Sequence, residues 1–434
     1  MTPARLSFLA AIALLALGTL AAFLPALNSV WQIAAATLGV TVLIDALLAW
    51  RSRAPECTRN LMASLSLQTW SDAELVVRNP TGRDCYLRVY DHHPEQLDAE
   101  GLPAELLLPA GKSATITYRI RPRRRGEIEL HTCDIRVRSA LGFWWRRHRL
   151  AVSSAVRCFP NYSSVSALLE YEALGGFQEV GLRFSRRRGE GIEFHQLREY
   201  REGDSLRAID WKATARRSTL ISREYEDERD QNVILMLDAG RHMLTRDGEL
   251  SHFDHALNAI LLLSYVALRQ GDAVGVATVG AGRPWLPPRK GASAINGILN
   301  HVYDIEAQPV EVDYAAAATE LSVLQRRRSL IILVSNVREE DTSDLRRATA
   351  LLRRRHLVMV TSLRERVLDD TIQAPVRDHQ SALTFAATER YLEARRQAQN
   401  LLAARGVIVD DCLPDQLPAT ITNRYLAIKR AGAL

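Results

Sequence analysis

Two apolar runs open the chain, and the hydrophobic period then changes twice. Residues 6–24 carry no charge and residues 30–50 carry only Asp45. Each run is near the ~20 residues with which a helix crosses a ~30 Å hydrocarbon layer. The linking residues 25–29 suffice only for a tight turn, so residues 1–54 are expected to form a transmembrane helical hairpin. From residue 55 to about 160, short runs alternate apolar and polar positions, at 65–67, 74–77, 86–90, 114–120, 127–130 and 134–137. Period two, with turns such as Asn79-Pro80-Thr81-Gly82 between the runs, predicts an all-β sandwich of immunoglobulin-like type. From residue 232 the runs become continuous, at 233–237, 273–279, 329–334, 357–361 and 407–409. Helical spacing fills the intervals at 253–270, 293–303, 314–327, 344–354 and 384–404, and again at 419–429. Strands buried on both faces and alternating with helices predict a doubly wound, mostly parallel α/β sheet over 232–434. Ligands of such sheets bind beyond the carboxyl ends of the strands, which is where Asp238 and Ser335-Asn336 fall.

Charge sharpens the membrane reading. Arg5 precedes the first span, Arg51, Arg53 and Arg59 follow the second, and the turn between holds no Lys or Arg. The positive-inside bias then places both termini in the cytoplasm, as in a multi-pass protein of a bacterial inner membrane. Trp31 and Trp50 flank the second span as interfacial aromatics do. A cleaved signal peptide fits less well, because the first span lacks a small-x-small exit. Asp45 is expected either to meet another helix or partner in the membrane or to snorkel to its edge. Arg146-Arg147, beside Phe143-Trp144-Trp145, are expected at anionic headgroups. The net charge of +6 is too small to imply nucleic acid, and no nucleic-acid motif accompanies it. Five widely spaced cysteines without a Cys-x-x-Cys pair read as reduced thiols. Ala110-Gly111-Lys112-Ser113 lies between two predicted strands, so it reads as a hairpin turn and not a phosphate loop. Asp91-His92-His93 lacks companion ligands for a metal.

Residues 161–231 form a linker and a charged segment expected to pack on the α/β domain. Between 189 and 216 the charges obey neither helical nor strand period, and Gly203-Asp204 breaks the run. Arg198, Glu199, Tyr200, Gly203, Asp204, Arg207, Asp210, Trp211, Lys212 and Arg216 are the residues most prone to specific pairing or partner binding. Opposite charges this dense stabilise ionised carboxylates, so structural ion pairs are expected, with Trp211 as an anchor, in the core by preference or else at a partner surface. The competing reading is a hydrolase using Glu193, Glu199, Asp204 and Asp210 as acid and base. No Gly-x-Ser-x-Gly, His-Glu-x-x-His or Walker motif supports it.

This segment resembles the signature of the bacterial family called domain of unknown function 58. The resemblance implies a von Willebrand factor A-like domain and a MoxR-type AAA+ ATPase as partner. The function it implies is a membrane-anchored scaffold or adaptor in complex assembly or envelope maintenance; a passive envelope-integrity role is the other non-enzymatic reading. Domains of that type often hold Mg²⁺ through Asp-x-Ser-x-Ser after the first strand, a later Thr and a later Asp, oxygen ligands suited to a hard cation. Here the motif reads Asp238-Ala239-Gly240-Arg241-His242, Glu311-Val312 stand where the Thr is expected, and Asn336 takes the later carboxylate position. With Gly240 and His242 in place of both hydroxyls and Arg241 opposing a dication, no metal or other cofactor is expected. Asp238 then caps its turn or pairs with Arg241, and the domain serves as a recognition surface.

Overall fold

The apolar runs form two helices, Arg5–Phe23 and Asn28–Arg51, both long and apolar enough to cross a membrane. A computed structural model of the chain describes residues 1–161, 193–200, 209–226, 231–282 and 285–433. It divides into two compact units, Met1–Phe159 and Pro160–Leu434.

In the first unit the helical hairpin and the β strands share one body. Thr2–Pro3 joins a six-stranded sheet next to Trp144–Phe159, followed in order by Gly126–Arg138, Cys85–Asp91 and Ala104–Leu108; Ser64–Ser66 also pairs with Trp144–Phe159. A second sheet orders Glu56–Asn60, Ser71–Arg78, Ser113–Pro122 and Leu97–Glu100. Alternate residues such as Leu75, Val77, Leu87, Val89, Ile128 and Leu130 are buried, as the period-two pattern requires. A buried ion pair links the sheets. Arg59 donates from Nε to Asp91 Oδ2 at 2.9 Å and from Nη1 to the Leu130 carbonyl at 3.1 Å, and Tyr118 Oη donates to the same carboxylate. Burial, with Asp91 alongside, pushes the Tyr118 phenol up, so it stays a donor. Residues 109–112 form the expected turn, with Lys112 N donating to Pro109 O.

One membrane-facing expectation changes here. Asp45 is fully buried against the β strands: it accepts from Ser139 Oγ at 2.5 Å, Leu141 N at 2.9 Å and Phe143 N at 3.1 Å. Arg146 caps the end of the second helix, donating to the carbonyls of Ala49 and Ser52 at 2.8 Å, and Arg147 pairs with Asp134. Unsatisfied helix-end carbonyls attract a cation, and these are in reach.

The second unit is built on six strands: β1 (Asn232–Asp238), β2 (Ala273–Val279), β3 (Leu286–Arg289), β4 (Leu330–Ser335), β5 (Leu357–Leu363) and β6 (Ile408–Cys412). Their order is β3-β2-β1-β4-β5-β6, parallel except for β3. The helices are α1 (His252–Arg269), α2 (Ala294–Val302), α3 (Tyr314–Leu324), α4 (Thr342–Leu352), α5 (Arg366–Gln373), α6 (His379–Ala403) and α7 (Leu417–Arg430). Val233, Leu235 and Leu237 of β1 pack with α1, α2 and α7, while Ile234 and Met236 pack with α3, α4 and Leu402 of α6. Helices therefore cover both faces, which is why β1 reads as an unbroken apolar run. Gly275 lets β3 cross closely: a Cβ there would lie 2.9 Å from Leu286 O and Pro288 N.

The Arg59–Asp91 pair yields a stability test. Arg59→Ala leaves a buried carboxylate without its cation, and thermal unfolding followed by circular dichroism is expected to show a loss of about 3–5 kcal/mol. An unchanged melting curve would mean that this pair does not hold the sheets together.

Candidate functional site

The carboxyl edge of the second unit's sheet is where the chain concentrates buried polar groups. β1 delivers Asp238 there, 1% exposed. Ala239 N donates to Val279 O at 2.8 Å, Gln308 N to Ala239 O at 2.7 Å and Arg241 N to Val310 O at 3.0 Å, so residues 308–312 lie along the turn that follows β1. The Asp238 carboxylate accepts from Gly240 N at 2.7 Å, Tyr314 Oη at 2.7 Å and Ser335 Oγ at 2.6 Å. Tyr314 Oη and Ser335 Oγ also lie 2.9 Å apart. Burial, with Asp238 next, holds the Tyr314 phenol well above its ordinary range, which keeps its proton on the oxygen.

Gly240 stands where a ligand hydroxyl is wanted, and its surroundings admit no side chain. A Cβ would lie 2.2 Å from Val312 Cγ2 and 3.0 Å from Val310 O. The remaining space, bordered by Asp238, Val310, Val312, Tyr314 and Asp341, is about 10 Å³, roughly room for one water. Hydrocarbon and a phenol thus fill the space beside Asp238, and its oxygens already face three donors. The residues present do not fit a dication, which needs six or more oxygen ligands, several of them anionic or water.

Around this closed centre runs a rim of ion pairs. His242, 8% exposed, places Nε2 3.0 Å from Glu340 Oε1 and Nδ1 3.2 Å from Asp341 Oδ2. Arg241 Nη2 reaches Glu340 at 2.9 Å and Glu311 at 3.3 Å. Burial pushes the Asp341 carboxyl up, and neighbouring Glu340 and Asp238 add to the shift. Arg241 therefore pairs with the rim glutamates and leaves Asp238 to neutral donors.

Asn336 belongs to a different network. Its Oδ1 accepts from Arg395 Nη1 at 2.9 Å, and its Nδ2 donates to Glu365 Oε1 at 2.8 Å. An aspartate at 336 would set a second carboxylate against Glu365, so the amide is the chemistry this contact needs. Arg395, 2% exposed, also donates to Val337 O at 2.8 Å, Ser362 Oγ at 2.6 Å and Asp411 Oδ1 at 2.9 Å. One guanidinium thereby joins the ends of β4, β5 and β6. Although burial pushes Glu365 up, the Asn336 hydrogen bond and the charges of Arg395 and Arg338 hold it below the usual carboxylate range.

In the charged segment, strands Glu193–Glu199 and Ile221–Glu226 form an antiparallel pair that carries Arg198 and Glu199. Tyr200 N donates to Leu220 O at 2.8 Å. Gly203, Asp204 and Arg207 lie outside the described residues. Asp210 caps the short helix Trp211–Arg217, accepting from Lys212 N at 3.0 Å and Ala213 N at 2.9 Å. Ile209 and Ile221 are buried, but Trp211 is 68% exposed, beside exposed Lys212 and Arg216. The cap fixes the helix start so that its first residue faces out, and the isoleucines take the buried positions expected of the indole.

Two predictions follow from this edge. Gly240→Ser is expected to destabilise by about 1–3 kcal/mol through overpacking, with Val312→Ala restoring most of the loss. Neither variant should bind Mg²⁺ in calorimetry; tight binding by Gly240→Ser would overturn the closed reading. The second prediction concerns His252, which begins α1 and is fully buried. Burial pushes its pKa from 6.5 down to about 4. The unfolded chain takes up this proton below 6.5 and the folded chain does not, so stability falls as pH drops from 6.5 towards 4. The share from this residue is about 2–3 kcal/mol. His255 and His356 are also lowered by burial, so His252→Phe should flatten the acid limb of a stability-versus-pH curve without abolishing it.

Comparison with known proteins places this edge in context. Residues 196–406 match the family described as "Protein of unknown function DUF58". "Uncharacterized protein YeaD" of Bacillus subtilis (strain 168) is 25% identical over 267 residues, 59% of this chain and 63% of that protein. This chain thus matches less than two thirds of that relative's length. Among solved structures, the PapD-like domain 7 of human CEP192 covers 25% of this chain and 86% of its own at 14% identity and a TM-score of 0.19. A FixG-related protein from Vibrio parahaemolyticus covers 24% and 94% at 9% identity and a TM-score of 0.18. Scores this low do not bear on the fold. The family match runs from the paired strands of the charged segment through β1–β5 to the end of α6, a little under half of the chain, and over that stretch the chain is similar to the DUF58 family.

Proposed function

We propose that this chain is a membrane-anchored scaffold or adaptor that acts by binding, with a MoxR-type AAA+ ATPase as its partner in complex assembly or envelope maintenance. The observation that carries this reading is the closed carboxyl edge. The crevice in which doubly wound sheets bind their ligands is filled by Val312 and Tyr314, and its polar groups are aimed at one another. Such an edge offers shape and paired charge for recognition. In this reading the second unit is von Willebrand factor A-like with its metal position filled, the β strands of the first unit form an immunoglobulin-like sandwich, and both termini lie on the cytoplasmic side of a bacterial inner membrane.

The charged segment then supplies a contact point. Asp210 is occupied as a helix cap, which argues against an acid or base role for it. Trp211 stands exposed beside Lys212 and Arg216, and an exposed tryptophan flanked by cations fits an acidic protein face, since Trp and Arg dominate interface hot spots.

The test mixes the purified full chain in detergent with the purified MoxR-type ATPase of its own source, with ATP, ADP or no nucleotide. A nucleotide-dependent complex on size exclusion is expected, and EDTA should leave unchanged any binding seen with ADP or without nucleotide. Trp211→Ala should weaken the complex by about tenfold or more with an unaltered melting curve. Absence of a complex under every condition would overturn the adaptor reading.

A further inference from the structure

Loop 139–145 of the first unit is fastened to the Arg5 and Arg51 ends of the two apolar helices. Ser139 Oγ, Leu141 N and Phe143 N donate to Asp45, and Trp144 Nε1 donates to Val42 O at 3.1 Å. Phe143 O accepts from Ala4 N at 2.8 Å and from Ser7 Oγ. Within the loop, Ser139 N donates to Trp144 O at 2.8 Å, Gly142 N to Ser139 O at 3.2 Å and Trp144 N to Ser139 Oγ at 2.9 Å. The amides of residues 139 and 141–144 are thus all partnered within the protein. Few of its amides need water, which suits a segment at the edge of the hydrocarbon, where hydrogen-bond partners are scarce.

The apolar surface of the helix continues past this dock. Leu47, Leu48 and Trp50 are 58%, 49% and 69% exposed. At 1.5 Å per residue, Trp50 lies about 7 Å further along the helix than Asp45. Leu141, at the tip of the loop, is 48% exposed. A bilayer that covers Leu47, Leu48 and Trp50 reaches the level of the loop as well. We propose that loop 139–145 is a membrane-interface element, lying in the headgroup boundary with the Leu141 side chain in contact with lipid. The proposal rests on the anchoring reading and adds to it: the β domain is seated in the membrane surface, not held above it by a tether.

Spin labels test it in the full chain, reconstituted in phosphatidylcholine–phosphatidylglycerol vesicles. Labels go at Leu141→Cys, at Leu15→Cys in the first helix and at Lys112→Cys in the exposed turn. The chain without these substitutions, taken through the same labelling reaction, supplies the background of the native thiols. Accessibility to oxygen relative to a water-soluble nickel chelate is read by power saturation. At Leu141 this ratio is expected to exceed that at Lys112 by about threefold or more, and to approach that at Leu15. An aqueous ratio at Leu141 with a lipid ratio at Leu15 would overturn this proposal alone. Aqueous ratios at both would remove the anchoring reading with it. A Leu141 label shielded from both reagents would mean that protein covers the tip, which also overturns the proposal.

Discussion

A carboxylate leaves water only where fixed donors replace its hydration, and that constraint sets where the elements of this chain meet. Asp45, Asp91, Asp238 and Asp272 are each 1% exposed or less. Each is surrounded by groups from elements distant in sequence. Asp45 gathers the 139–143 backbone onto the second apolar helix. Asp91 holds Arg59 and Tyr118 across the two β sheets. Asp238 collects Tyr314 and Ser335 at the end of β1, and Asp272 receives Lys429 Nζ at 2.7 and 2.8 Å from α7. Buried anions of this kind add specificity more than stability, because their geometry must be met by particular partners at particular distances.

The same constraint accounts for the chemical quiet of the sheet edge. Asp238 and Asn336 lie at the carboxyl edge of the sheet, at the end of β1 and just after β4. Here one is surrounded by neutral donors and the other bridges Arg395 to Glu365. The two networks adjoin through consecutive residues, Ser335 and Asn336, at the end of β4.

Much of the architecture was legible because hydrophobic period is a local property. The two apolar helices, the alternating strands and the α/β series stand where the pattern places them, within a few residues. The strand Trp144–Phe159 was hidden because Ala151 and Ala155 face out while His148 and Ser154 face in, which breaks the apolar-in, polar-out alternation. At the site, the place of Asp238 at a strand end could be read directly. Tyr314, Val312 and Arg395 could not. Their roles depend on contacts across more than fifty residues, and nothing local marks an arginine as buried or a valine as the filler of a glycine's missing side chain. Trp211 shows the converse: apolarity was legible, but the direction in which a short capped helix points its first residue was not.

One edge of the α/β sheet has a consequence for assembly. β3 is four residues long and contains Pro287 and Pro288. Proline has no amide proton to offer, and two in succession deprive the free margin of the regular donor row that another strand would need. The sheet therefore cannot be lengthened from that side, either by a partner's extended segment or by another copy of itself. Where copies of the chain are crowded and collide often, this margin is protected against fibre-like growth.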